Sequence, residues 1–582
     1  MTKERPCIVQ RDRTILLEVN HAGFEEAREQ ISQYADLVKS PPSFHTYRIT
    51  PLSLWNAASA GWSAGRIRES LQSLSRWNVP AALLEDINRL IERYGQLSLL
   101  KHPGKPGGLI LRACSSKTME EVKRKLLLDA ARLRYVSDTE AEVPAGLRGM
   151  LKQELTRLGY PVLDYAGYQD GQFLHIRWRG EEGGAGQAER FSLRDYQQEA
   201  AGTFRDSGGL GGSGVLVLPC GAGKTIVGMA AMRELQCETL ILTSNTTSVR
   251  QWMAELEDKT TLTSAEIGEY TGSSKQVKPV TVATYQILTH RHGKEDELRH
   301  MKLFNERSWG LIIYDEVHLL PAPVFRATAD IQATRRLGLT ATLVREDGRE
   351  HDVFSLIGPK RYEMPWKTLE EKGWIASVEC VEMKIPLPDQ VREKCLCAGT
   401  REQYRLASEN PAKLDAVKRL MERHGEAQTL IIGQYLDQLK DISASLDLPL
   451  ISGQMPQPRR QELYAAFRRG DIRALVVSKV ANFAVDLPDA SVAIEVSGSF
   501  GSRQEEAQRL GRILRPKSGD NRAYFYALVS QDSREEAFAL RRQLFLIEQG
   551  YQYRTETMSS IGSRLPAERV LFGSRKEAAE TT

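Results

Sequence analysis

The chain has 582 residues, 41% of them hydrophobic and 26% charged, with a formal net charge of +4. That length exceeds what one hydrophobic core supports and implies about three to five domains. The ordinary composition favours neither a disordered nor a membrane-protein class, and the small net charge leaves partner chemistry to the local distribution of basic residues.

No apolar run approaches the roughly 18 residues of a membrane span, and the stretch from Met1 to Cys7 lacks a signal-peptide core. A cytoplasmic protein with no membrane partner is expected. Seven cysteines are scattered from Cys7 to Cys397 without framework spacing. Cys395 and Cys397, lacking a second ligand pair, read as reduced thiols.

Residues 1–115 begin with a short apolar strand, Thr14 to Val19, and continue into helical stretches at Phe24 to Leu37 and Ala81 to Tyr94. Between Ile91 and Tyr135 ten Lys/Arg face four Asp/Glu. This excess is either a solvated helix face or a contact surface for phosphates. Residues 116–185 contain a small α+β unit, helical from Leu147 to Leu158 and strand-like from Gln172 to Trp178. The glycine-rich spacer from Gly180 to Gly186 closes it.

Residues 186–365 read as one α/β lobe. Apolar strands at Val215 to Leu218, Thr239 to Thr243, Val280 to Thr284, Gly310 to Tyr314 and Arg336 to Thr340 alternate with helical segments. Such alternation predicts a parallel sheet with functional loops at the strand carboxyl ends. Residues 366–560 repeat the pattern at Gln428 to Gly433, Leu448 to Ile451, Ala474 to Ser478, Val492 to Val496 and Ala523 to Ala527, without a phosphate loop. Two lobes with one phosphate loop imply a nucleotide held between them. Residues 561–582 form a tail.

That phosphate loop is Leu218 to Thr225. Gly221, Ala222 and Gly223 offer backbone N–H groups to an anion at a helix start, Lys224 reaches the outer phosphates of ATP, and the Thr225 hydroxyl suits Mg2+. Leu218 replaces the first glycine of the strict pattern. Ninety-one residues beyond Lys224, an apolar strand ends in Asp315 and Glu316, followed by His318. Asp315 fits a metal ligand, and Glu316 fits the group that orients and deprotonates the attacking water. His318 is placed to link nucleotide state to the next motif. Thr340 and Thr342 follow their own strand as candidate couplers to a bound nucleic-acid strand. Gln508, Arg512 and Arg515 stand at i, i+4 and i+7, on one face of a helix or its end, and suit guanidinium groups aimed across a cleft at a γ-phosphate.

Together these motifs resemble the superfamily 2 helicases, and within them the XPB type, the xeroderma pigmentosum group B family, in a bacterial-like form. The resemblance includes Leu218 to Thr225, Asp315 to His318, Gly338 to Asp347, Ser478 to Pro488 with Asp486, Gln504 to Arg515 and Leu528 to Ser533. Ile8 to Val19 and His45 to Trp55 extend it to the amino-terminal region.

It implies two RecA-like parallel-sheet motor domains preceded by α+β accessory domains, and an ATP-dependent 3′ to 5′ DNA helicase acting in repair. Single-stranded or forked DNA and a repair nuclease or other repair proteins are the implied partners, and nucleoid association is implied if the source is bacterial. A duplex translocase without processive unwinding is the alternative. By the same resemblance Gln197 reads adenine and Arg345, Glu346 and Asp347 act in strand separation. Residues of about 140–180 fall where the family has a damage-recognition domain. The region from Pro386 to Asp415 is short and nearly balanced in charge, where archaeal and eukaryotic members are expected to carry a longer basic thumb.

Overall fold

The computed structural model describes residues 5–558 apart from 42, 106, 127–132, 181–190, 206–210, 291–298, 333, 344–347, 479–489, 500–501, 512, 515 and 517–520. Arg345, Glu346, Asp347, Asp486, Arg512 and Arg515 therefore lie outside the described residues.

The two lobes expected from alternating strand and helix signals are two seven-stranded sheets. The first runs in the order Ile267–Tyr270, Val280–Thr284, Thr239–Thr243, Leu311–Asp315, Arg335–Thr340, Ser213–Val217 and Lys360–Glu363. Every pairing in it is parallel. The second runs Leu450–Ile451, Ala474–Val477, Thr429–Ile432, Val492–Glu495, Arg522–Ser530, Ser377–Ile385 and Tyr553–Thr557, again all parallel. The central strands are buried on both faces, which explains why they read as unbroken apolar runs rather than alternating ones.

Two smaller α+β units precede the lobes. Cys7–Val9, Thr14–Glu18, Phe44–Arg48 and Asp36–Lys39 form an antiparallel sheet covered by helices, among them Phe24–Ile31, Pro51–Ser59 and Ala81–Arg93. Strand Asp36–Lys39 takes the end of the stretch expected to be helical from Phe24 to Leu37. A five-stranded sheet follows in the order Arg134–Tyr135, Glu140–Val143, Leu109–Ala113, Leu97–Lys101 and Val162–Asp164. It runs across residue 115, so the boundary expected there divides one folded unit.

The stretch Gln172 to Trp178, expected as a strand of that unit, instead lies along the first lobe through isolated bridges, Phe173 to Cys237 and Trp178 to Thr260. Leu174, Ile176 and Trp178 enter the core of the first lobe. The alternation was genuine, but no full ladder accompanies it.

The local basic excess between residues 91 and 135 is largely paired. Lys105 and Arg134 meet Glu142, Arg112 meets Glu140, Lys125 meets Glu121, and Arg93 and Lys123 sit over the rings of Tyr160 and Tyr135. That is the behaviour of a solvated, ion-paired face. Among the described residues no helix is long and apolar enough to cross a membrane.

Candidate active site

The phosphate loop leaves the fully buried strand Ser213–Val217 and enters helix Lys224–Leu235. Leu218 N donates to Thr340 O at 2.9 Å, tying the loop's first residue to the adjacent strand. Gly221 and Gly223 adopt φ of 81° and 75°, in the left-handed region where a Cβ is unfavourable. At Gly223 a Cβ would also come within 2.7 Å of Gln197 Nε2. Two donors fix the loop from outside: Tyr196 OH reaches Ala222 O at 2.7 Å and Gln197 Nε2 reaches it at 3.2 Å. Arg194 N donates to Gln197 Oε1 at 3.1 Å, so both ends of that amide are held. Thr225 follows Lys224 in the first turn of the helix.

Leu311–Asp315 delivers the acidic pair at its carboxyl end, two strands from the loop. Glu316 has φ 51° and opens a short 3₁₀ turn. A non-glycine residue held there costs about 1 to 3 kcal/mol, and such strain collects at functional sites. Lys224 Nζ lies 3.5 Å from Glu316 Oε1. Burial opposes the lysine's charge, but Glu316, Cys220 and Asp315 together outweigh it and hold the ammonium above its usual range.

Burial, and then the neighbouring Glu316 charge, push Asp315 up to about 6. A carboxyl raised in this way by burial and an adjacent carboxylate, beside the helix N-terminus that carries Thr225, fits a divalent cation that would relieve the repulsion. Asp315 and Thr225 are the residues that would hold it.

Two residues beyond those expected act on Asp315. Trp252 Nε1 donates to Asp315 Oδ2 at 2.9 Å, and Tyr285 OH donates to Asp315 O at 2.9 Å. Trp252 is almost fully buried and crosses helix Lys224–Leu235 at Gly228, where a Cβ would lie 2.6 Å from its Cη2. The one readable hint was chemical: a buried indole N–H needs an acceptor.

His318 Nδ1 lies 2.6 Å from Thr340 Oγ1 and 3.5 Å from Glu316 Oε2. Thr340 Oγ1 donates to Thr342 O at 2.6 Å and accepts from Thr342 N at 3.1 Å. With the only hydroxyl proton given to Thr342, the imidazole Nδ1–H is the donor to Thr340. His318, Thr340 and Thr342 are thus joined by hydrogen bonds, and the Glu316 carboxylate lies 3.5 Å from the imidazole at the near end.

The second lobe meets the loop through Gly511, where a Cβ would lie 2.4 Å from Cys220 Cβ. Gly511 caps helix Arg503–Leu510, which carries Gln508 and ends two residues before Arg512. The geometry therefore brings the backbone next to Arg512 onto the phosphate loop. Residues 386–415 fold into helices Asp389–Cys397 and Thr400–Ser408 and the start of Ala412–His424, a compact hairpin whose first helix buries none of its residues.

Residues 369–580 match the family model described as ERCC3/RAD25/XPB C-terminal helicase, and residues 190–345 that of the type III restriction enzyme res subunit. A third model, described as a helicase conserved C-terminal domain, matches residues 7–137, which here form α+β units rather than a motor sheet. The chain is 51% identical to the "DNA 3′-5′ helicase XPB" of Kineococcus radiotolerans over 98% of its own length and 99% of the relative's. The chain belongs to the XPB helicase family. A second XPB relative, from Mycobacterium tuberculosis, is also 51% identical, over 94% of this chain and 97% of that protein. The "putative DNA 3′-5′ helicase Rad25" of Halobacterium salinarum is 38% identical over 76% of this chain and 70% of its own length. The two parallel sheets are the RecA-like motor domains of an ATP-dependent enzyme.

Proposed function

We propose that this chain is an ATP-dependent 3′ to 5′ DNA helicase that couples hydrolysis to translocation along one strand in DNA repair. The observation that carries the reading is the convergence of Lys224, Asp315 and Glu316 at the carboxyl edge of one parallel sheet, with Gly511 of the second lobe seated on Cys220 of the phosphate loop.

Lys224 is ion-paired with Glu316 at 3.5 Å. A triphosphate is the stronger partner for that ammonium, so binding draws Lys224 away and leaves the Glu316 carboxylate free to orient and deprotonate water. Asp315, fixed by Trp252, and Thr225 would hold Mg2+, which neutralises phosphate charge when bound. Gln197, fixed to Ala222, is set to report adenine to the loop. Gln508, Arg512 and Arg515 are assigned to the opposite wall, where cross-cleft guanidinium groups raise turnover by about 10^3 to 10^5.

The polar chain from Glu316 through His318 to Thr340 and Thr342 is the route by which the phosphate state reaches the strand-binding motifs, including Arg345, Glu346, Asp347 and Asp486. ATP hydrolysis measured with single-stranded DNA, duplex, forked DNA and RNA tests the reading. Stimulation by single-stranded and forked DNA above RNA is expected; an ATPase indifferent to nucleic acid contradicts it.

A further inference from the structure

A buried ionic cluster in the second lobe lies next to, but outside, the ATP site. Glu495 ends strand Val492–Glu495; Glu506 and Arg509 stand on helix Arg503–Leu510; Arg542 comes from helix Arg534–Glu548. All four are essentially solvent-free, at 0% or 1% exposure. Arg509 Nη1 is 2.9 Å from Glu495 Oε2, Arg542 Nη2 is 3.1 Å from Glu495 Oε1, and Arg542 Nε is 3.5 Å from Glu506 Oε2. Tyr553 OH donates to Glu506 Oε1 at 3.1 Å.

Two guanidinium groups thus bracket Glu495, while burial and the neighbouring Glu495 charge push the Glu506 carboxyl up, and none of the four groups is exposed to solvent. In such surroundings an ion that loses its partner is heavily penalised, so helix Arg503–Leu510 has one well-defined seat. That helix carries Gln508 and is capped by Gly511 against the phosphate loop.

Arg542 is held in turn. Its Nη1 donates to Ser499 O at 3.1 Å, and a Cβ on Gly498 would come within 2.1 Å of its Cζ, so the backbone at residues 498–499 closes over the guanidinium. Two residues further along the same helix, Leu544 leaves the second lobe altogether. It belongs to the hydrophobic core of the amino-terminal unit, with Ile547 packed beside it.

Arg28, on helix Phe24–Ile31, donates to Glu548 O at 3.2 Å at the end of the same helix. The amino-terminal unit also touches the first lobe, where Trp55 meets the rings of His351 and Phe354 and Asn56 Oδ1 accepts from Lys360 N at 3.1 Å.

We propose that helix Arg534–Glu548 couples the amino-terminal unit to the ATP cleft, with Leu544 anchoring it in that unit and Arg542 acting as a positioning residue for the helix that carries Gln508. The unit contacts both lobes and holds the helix that seats one wall of the cleft, so its docking sets turnover. Nucleotide affinity, which rests mainly on the loop of the first lobe, is left largely unchanged. This inference rests on the ATPase reading above.

The test is a double-mutant cycle on the full chain in steady-state ATP hydrolysis with single-stranded DNA, with fluorescent ADP binding as the second readout. Arg542→Lys keeps the charge but loses the planar fork that reaches Glu495, Glu506 and Ser499 O with separate nitrogens; Leu544→Ala empties the contact with the amino-terminal unit. Expected values are a kcat lowered about tenfold by Arg542→Lys and about threefold by Leu544→Ala, with the double variant no slower than Arg542→Lys alone and ADP affinity within about twofold of wild type.

Unchanged kcat in Leu544→Ala, or losses that multiply in the double variant, overturns the coupling while leaving the ATPase reading intact. If Arg542→Lys does not fold, Leu544→Ala decides alone. A wild-type chain without DNA-stimulated turnover overturns the ATPase reading and the coupling with it.

Discussion

The indole of Trp252 donates to Asp315 Oδ2 at 2.9 Å while its ring packs across Gly228 of the helix that follows the phosphate loop. One side chain therefore fixes both the carboxylate assigned to Mg2+ and the spacing between the two halves of the first lobe's site.

Replacing Trp252 by Phe keeps most of that packing and removes the donor. A hydrogen bond to a charged group contributes about 1.5 to 3 kcal/mol, so ATPase turnover is expected to fall about 10- to 150-fold. The loss should be partly recovered at high Mg2+, because the carboxylate itself remains. A Mg2+ titration of the variant checks this; wild-type turnover at low Mg2+ would remove Trp252 from the site.

Gly223→Ala places a Cβ at φ 75° and within 2.7 Å of Gln197 Nε2. Left-handed backbone costs a non-glycine residue about 1 to 2 kcal/mol, so nucleotide affinity is expected to weaken by about 5- to 30-fold even before the Gln197 amide is displaced. Equilibrium binding of fluorescent ADP measures it. Gly470→Ala, also at positive φ but with open space around it, serves as the control with backbone strain alone.

Stability should fall on acidification through two buried histidines. Burial, aided by Arg28 for one and Arg423 for the other, holds His45 and His424 at about 4, below the ordinary 6.5. The folded state keeps both rings neutral, whereas the unfolded chain protonates them from about pH 6.5 downward. Their contribution is thus fully present above about pH 6.5 and is lost progressively as pH falls towards 4. Thermal melting between pH 8 and 4 should show this decline. His424→Gln, which removes the ring bonded to Tyr526 OH, should flatten it.

The motor core was the most legible part of the chain. Strands such as Leu311–Asp315 and Val492–Glu495 are buried on both faces and read as short apolar runs, and the loop glycines announced a positive-φ turn. That Lys224 approaches Glu316 was readable because the phosphate loop and the acidic pair both follow strands of one parallel sheet. Trp252 and Tyr196 were not, since each donates to a group 63 or 26 residues away and neither carries a local signal.

Gln172 to Trp178 shows the opposite failure. Its alternation comes from one face buried against the first lobe, and periodicity alone does not say which sheet, if any, a segment joins. The buried cluster around Arg542 was likewise hidden, because a row of charged residues on a helix reads as a solvated face until the neighbouring strand and helix close over it.

Polarity of unwinding with the water-activating carboxylate as internal control tests the central claim most directly. Duplexes bearing a 3′ or a 5′ single-stranded tail are incubated with ATP and either wild type or Glu316→Gln. Wild type is expected to displace the strand only from the 3′-tailed substrate. Glu316→Gln should bind ATP with near-normal affinity, since Lys224 and the loop are intact, yet neither hydrolyse it nor unwind DNA. Wild-type turnover in Glu316→Gln, or displacement from the 5′-tailed substrate alone, would contradict the account.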